Sequence, residues 1–562
     1  MAMDSQRLIL FFVFSFSLFL LLDAWQRDRQ TESARPSASA PVAGQKAGGD
    51  RPQAAQVPVP SEKLVAAQGG VPQQAQAPSE PGGLVHVETD LLRARISTSG
   101  GDLRHLEFKK HRDTFDRNKP FVLLDRNAEH TYIAQSGLIG RDLPNHRTQF
   151  GSAAERYELA EGEDHVEVRL TAPAAGGVQV TKVYRFYRNS YLFDVGFELA
   201  NQGAEAIQPY AYFQLVRDET PPAGDSAMVP TFTGVAVYTD KEKFQKVSFE
   251  DIQKGKTSYP KNSLDGWIGM LQHYFVSAWL PRNDTPREFY TRRLDGGLYA
   301  AGTIIPAGKV APGATAAVTV PLYAGPEEQG KLAAIAPGLD LTVDYGWLTV
   351  IAVPLFWVLD WLHKWVQNWG VAIILLTIII KAIFYPLSAA SYRSMAKMRV
   401  VAPKMQKLKD QYGSDRQRLQ QAMMELYKTE KINPLGGCMP ILVQIPVFIA
   451  LYWVLLGSVE LRHAPFVLWI DDLAARDPYF ILPILMGLTM IIQTWLNPTP
   501  PDPVQAKIMK IMPVVFSVFF FFFPAGLVLY WLVNNILSIA QQWQITRMIE
   551  RDGRVAARKT RR

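Results

Sequence analysis

Five apolar stretches crowd the C-terminal part of this 562-residue chain, at approximately Val371–Leu387, Met439–Gly457, Tyr479–Leu496, Ile508–Phe523 and Leu527–Ile545. They constrain the fold more than any other feature. In hydrocarbon every backbone N–H and C=O must be satisfied within the protein, so such stretches become helices. Short charged loops separate them, whereas residues before about 340 are polar with short β-like runs. The expected fold class is therefore a membrane α-helical domain joined to a large extracytoplasmic β-sandwich. Counting an N-terminal anchor gives six spans, five of them in the core.

The N-terminus supplies that anchor. Arg7 precedes an apolar run from Leu8 to Leu22, and Asp23-Ala24-Trp25 offers no small-x-small cleavage site, so residues 1–25 read as uncleaved. From 26 to 83 there is no aromatic residue, and Ala, Pro, Gln, Gly and Ser dominate. Such a stretch buries too little apolar surface to offset its ordering entropy, and reads as a flexible tether.

Residues 84–340 alternate. Leu92, Ala94 and Ile96 interleave with Arg93 and Arg95, Val166, Val168 and Leu170 with Glu167 and Arg169. Tyr191, Phe193, Val195, Phe197 and Leu199 keep the same period. Period two means one buried and one wet face, as in antiparallel sheets. No catalytic constellation stands out there, and the region reads as a binding or scaffolding sandwich. Cys438 is the single cysteine, and the nine histidines show no metal-binding spacing. No metal, no cofactor and no enzymatic centre are expected.

The period becomes helical at 341–370, where Trp357, Trp361, Trp365 and Trp369 recur every fourth residue. This is expected to be an amphipathic helix lying in the membrane interface, with core packing as the alternative. The core follows at 371–545. Between Arg393 and Lys431 ten basic residues stand against four acids, and the tail 546–562 is also basic. Positive-inside then places both, and the N-terminus, in the cytoplasm and the β domain outside. Within the cytoplasmic loop, 391–432 reads as a basic helical hairpin. Pro403 is expected to break its first helix, Gly413 to end it, and Ser414-Asp415-Arg416-Gln417 to act as a capping box. Met405, Leu408, Met423 and Leu426 form its apolar faces, either packing on each other or receiving varied apolar partners.

Lys381 is the oddity. A cation deep in a span costs about 2.5–3.5 kcal/mol. Thr377 lies one turn before it, and Pro386 should bend the helix nearby because it cannot donate to the Ala382 carbonyl. Other spans contribute Gln444, Gln493, Ser517, Asn534, Asn535 and Ser538. No intramembrane Asp or Glu is available as a partner, which disfavours a proton relay. Two readings stand: Lys381 snorkels toward the cytoplasmic side, or it sits in a wet pocket that attracts a negative group from outside the protein.

Several strings are recognisable together. Lys381-Ala-Ile-Phe-Tyr-Pro386, Asn433-Pro-Leu-Gly-Gly-Cys438-Met-Pro440, Gln444-Ile-Pro446, Asp477-Pro-Tyr479 and Phe523-Pro-Ala-Gly526-Leu-Val-Leu-Tyr530-Trp531 closely resemble the YidC membrane-protein insertases, and the resemblance covers the whole chain. It implies a cofactor-free insertase and chaperone of the bacterial inner membrane, with a hydrophilic groove open to cytoplasm and lipid. Lys381, Thr377, Gln444, Asn534 and Asn535 are the candidate groove residues, and the resemblance adds Tyr530 and Trp531. Family members commonly carry arginine where this chain has Lys381. Lysine keeps the charge but not the fork that pairs a carboxylate twice. Implied partners are nascent membrane proteins, the Sec translocon, the ribosome through the basic tail and loops, and the lipid bilayer; DNA is not among them. The competing class is a secondary transporter with a periplasmic sensory domain, which would require internal span repeats that are not visible.

Overall fold

The computed structural model describes residues 83–223, 231–413, 415–430, 439–497 and 503–559. The expected anchor at 1–25, the tether up to residue 82 and Cys438 lie outside the described residues. The chain divides into two compact units, with the division falling between Val343 and Asp344.

The first unit is β-rich. Among the described residues its strands form a ten-stranded and a nine-stranded sheet, almost entirely antiparallel. Alternation selects the buried face as expected: Phe193, Val195, Phe197 and Leu199 are at most 1% exposed, and so are Val168 and Leu170. The two sheets meet through large side chains, with Phe213 of one packed on Trp279 (ring centroids 5.1 Å apart) and Phe197 (6.1 Å) of the other. Such packing buries roughly 150–250 Å² per aromatic residue and dominates the core energetics. Gly266, at φ +87°, is required by a close approach, since a Cβ there would lie 1.8 Å from the Tyr238 carbonyl oxygen.

Two charged groups buried inside this unit are hydrogen-bonded. Lys182 is completely buried and donates to the Gly100 and Ser136 carbonyls, each at 3.1 Å. Asp102, also buried, accepts from Gln135 Nε2 at 2.8 Å. Burial pushes the Asp102 carboxyl up and the Lys182 ammonium down, and each opposes the other's shift through its charge.

The second unit is helical. Its main helices are Thr349–Val366, Trp369–Ile383, Tyr385–Tyr412, Arg416–Thr429, Met439–Gly457, Ile481–Leu496, Pro503–Phe519 and Ala525–Lys559. Among the described residues, Thr349–Val366 is long and apolar enough by itself to cross a membrane. Trp369–Ile383 and Tyr385–Met395 qualify only together, as a pair bent by 65°. The apolar helices Val443–Gly457 and Ile481–Leu496 are shorter. Thr349–Val366 buries Ala352, Phe356, Leu359 and Leu362, while Trp357 and Trp365 are exposed.

Two local expectations in the hairpin are corrected. The Tyr385–Tyr412 helix runs through Pro403 instead of breaking there. An internal proline costs about 3 kcal/mol, and the buried contact of Val401 and Met405 with Met423, Leu426 and Tyr427 on the facing helix works against that cost. The cap of the second helix is Asp415, whose carboxylate accepts from the Gln417 and Arg418 N–H groups at 3.1 Å each. The helix does end at Tyr412, before Gly413.

In the β-rich unit, His146 packs edge-on against Tyr212 and shares a hydrogen bond with its hydroxyl. Burial, seconded by the Arg147 charge, pushes its imidazole down to about 4. An unfolded chain takes up that proton near pH 6.5, so it binds more protons than the folded one between about pH 6.5 and 4. Stability should therefore fall as pH drops through that window. In pH-dependent denaturant melts of the full chain, His146→Gln should flatten this part of the profile; an unchanged slope would remove His146 as its source.

Candidate functional site

The Trp369–Ile383 helix is fixed at both ends. Asn368 caps its start, accepting from the Val371 N–H and donating to the Phe466 carbonyl, each at 3.0 Å. Gly370 sits so close to Phe466 that a Cβ would meet its ring at 2.1 Å. At the other end Pro386 has no N–H for the Ala382 carbonyl, and the chain bends into the next helix. The break leaves Lys381 in the last helical turn, where the negative end of the helix dipole favours a cation.

Lys381 is 7% exposed. Its ammonium donates to Ser538 Oγ at 2.8 Å, and that hydroxyl donates to the Asn534 carbonyl at 2.8 Å. The Asn534 side-chain oxygen accepts from Gln444 Nε2 at 2.8 Å. A polar chain thus runs Lys381–Ser538–Asn534–Gln444 across three helices. Asn534 and Ser538 are four residues apart and share a helix face. Tyr392 extends the chain, its hydroxyl lying 3.5 Å from the Ser538 carbonyl. The sequence reading counts Ser538 among the inward polar residues without singling it out. The i, i+4 spacing to Asn534 is the signal that marks it.

Aromatic side chains continue the same line. The Trp531 ring meets Phe448 edge-to-face at 4.3 Å and lies 5.2 Å from Phe520. Phe448 follows Gln444 by four residues, as Asn534 follows Trp531 by three. Tyr530 is buried, 6.1 Å from the Phe448 ring.

Two candidates stand apart from the lysine chain. Asn535 reaches Thr489 Oγ1 at 3.4 Å, and Gln542 on the same side donates to Asn497 Oδ1 and the Leu496 carbonyl at 3.1 Å. These contacts tie the C-terminal helix to Ile481–Leu496. Thr377 is fully buried, and its hydroxyl donates to the Ile373 carbonyl of its own helix at 2.7 Å. In the hairpin, Met405, Met423 and Leu426 pack on one another, Leu408 is half-buried, and Lys404 pairs with Glu430 at 2.6 Å. Met424 is the exposed apolar residue of that second helix.

The loop 458–480 is ordered around Asp477, whose carboxylate accepts from Trp469 Nε1, the Tyr479 N–H and the Leu482 N–H at 3.0, 3.0 and 2.7 Å. This accounts for the Asp477-Pro-Tyr479 string: it fixes the entry of the Ile481–Leu496 helix.

Removing one partner of a buried, charged hydrogen bond costs about 1.5–3 kcal/mol. Ser538→Ala should therefore lower the melting temperature of the detergent-solubilised chain, and Lys381→Met should suppress that effect. A double-mutant cycle tests the contact directly; coupling below about 0.5 kcal/mol would show that the two side chains do not depend on each other.

Comparison with known proteins agrees with this architecture. Residues 84–358 match the YidC periplasmic domain, and residues 361–552 match the 60Kd inner membrane protein family. The chain is 57% identical to the membrane protein insertase YidC of Nitrosospira multiformis and 58% identical to that of Methylobacillus flagellatus, with 98% of both chains covered in each case. A solved structure of an active YidC insertase with its first transmembrane domain resolved matches 82% of this chain and 94% of its own, at 18% identity and a TM-score of 0.38. Two family domains in tandem, and relatives this similar from end to end, lead to one conclusion: the chain belongs to the YidC family of membrane protein insertases.

Proposed function

We propose that this chain integrates and helps fold inner-membrane proteins through a polar groove around Lys381, open to the cytoplasm and to lipid. The observation that carries this reading is the state of the lysine. Lys381 is buried and bonded to a hydroxyl, with no carboxylate partner among the described residues. A neutral hydroxyl occupies one donor of the ammonium but leaves its charge uncompensated. An acidic segment of an incoming chain compensates it.

Six spans, five of them forming the core, hold this groove, with both termini and the basic hairpin cytoplasmic and the large domain periplasmic. The excess of lysine and arginine between Arg393 and Lys431 supports that orientation. The hairpin and tail meet the ribosome and the nascent chain by charge and apolar contact, and some substrates arrive with the Sec translocon. The polar terminus enters beside Lys381, short spans thin the bilayer locally, and the membrane potential favours outward movement of acidic residues. The substrate's own apolar helix then partitions into lipid. No bond is made or broken, so the work is that of a chaperone and not of an enzyme.

Purified protein in liposomes provides the test, with a small single-span substrate whose translocated tail is acidic. Lys381→Ala should slow insertion about tenfold, the equivalent of roughly 1.4 kcal/mol, whereas Lys381→Arg should retain it. Equal rates for Lys381→Ala and the unsubstituted chain would sink the electrostatic role. Removing most of residues 84–340 should leave insertion largely intact. Complete loss in a correctly folded truncation would move the activity out of the helical unit.

A further inference from the structure

The outer face of the ten-stranded sheet holds four basic side chains in a single row. His86 is the register partner of Arg156 on one side and of Arg95 on the other, and Arg95 is the partner of His105. Val85, Val87, Ala94, Ile96 and Leu106 alternate with them and are buried, so the row points outward. Side chains in such positions stand about 4.5–5.5 Å apart at Cβ, so the Arg95 guanidinium lies between two imidazoles and that of Arg156 beside one.

The acids nearby pair with part of this row and leave Arg95 out. In the adjoining row Arg93 binds Glu88 at 3.2 Å and Glu107 at 2.9 Å, and Lys109 also binds Glu88, at 2.9 Å. His105 takes Asp125 at 3.0 Å and lies 3.8 Å from Glu107, and Arg156 takes Glu158 at 2.5 Å and lies 3.6 Å from Glu88. Arg95 has no acidic partner among the described residues, and it is exposed. These two rows line an open groove of about 190 Å³, a volume suited to a compact group and not to a folded partner.

We infer that this groove binds a phosphate or phosphate-ester group, held by the Arg95 guanidinium with Arg156, His86 and His105 beside it. The planar fork of arginine matches two oxygens of a phosphoryl group. A metal cation is excluded by the same geometry, because each acid is already engaged by a basic side chain. The group is either free phosphate or the phosphoryl portion of a lipid headgroup. Since the site is open to solvent, its affinity falls as salt rises.

The test is calorimetric titration of the full chain, reconstituted in phosphatidylcholine vesicles, with inorganic phosphate in one arm and glycerol phosphate in the other. Saturable binding of one phosphate per chain, weakened about tenfold or more by Arg95→Gln, supports the site. Arg169→Gln, on the other sheet, should change nothing. Equal affinity in the two arms identifies free phosphate as the ligand, and tighter glycerol phosphate binding identifies a headgroup. Phosphate should also raise the melting temperature of the unsubstituted chain but not that of Arg95→Gln, which separates lost binding from lost folding. No saturable binding in either arm, or binding that survives both Arg95→Gln and Arg156→Gln, would overturn the inference.

Discussion

The hydrogen bond from Lys381 to Ser538 is the interaction on which the helical unit turns. A buried charge is expensive, and three arrangements make it tolerable. The helix ends within one turn, so the ammonium lies at the negative end of the dipole. Ser538 accepts one of its protons. Asn534 and Gln444 extend the polar line to a third helix. The same line therefore orients three helices and holds the charge among them, which couples the packing of the bundle to the chemistry of the proposed groove.

The two buried lysines among the described residues show what that arrangement withholds. Lys182, inside the β-rich unit, has two backbone carbonyls as acceptors and the opposite charge of Asp102 acting on it. It is satisfied and structural. Lys381 has one neutral hydroxyl acceptor among the described residues. A fully paired ammonium in the groove would have nothing left to offer a substrate, so incomplete pairing is a condition of the proposed function. The β-rich unit needs no such compromise, and its core is closed by aromatic packing between the sheets.

Much of this was legible in the residues. Period-two alternation identified the buried faces of the strands, because a strand offers only two faces and one of them is dry. Pro386 foretold the break after Lys381, since a missing N–H is a covalent fact. Pro403 misled for the complementary reason: its cost is real, but Val401, Met405 and their partners on the facing helix act against it, and that contact is tertiary. Asn534 and Asn535 both stood among the candidate groove residues. On a helix, however, one residue turns the chain by about 100°, so Asn534 meets Gln444 while Asn535 meets Thr489. Thr489, Tyr392 and Gln542 carried no sequence signal, because their partners come from distant segments.

The bend after Lys381 has a consequence for how such a groove diversifies. Where a helix stops, its last carbonyls lose their regular donors, and at Ala382 proline guarantees the loss. The Ala382 carbonyl takes the Phe384 N–H instead, and part of the polarity at that place belongs to the main chain, which no side-chain substitution removes. Groove residues can drift toward apolar types while the place stays wet, provided Pro386 and the turn at Phe384 persist. Side-chain polarity is then a poor ruler for comparing grooves between relatives, and the position of the helix break is a better one.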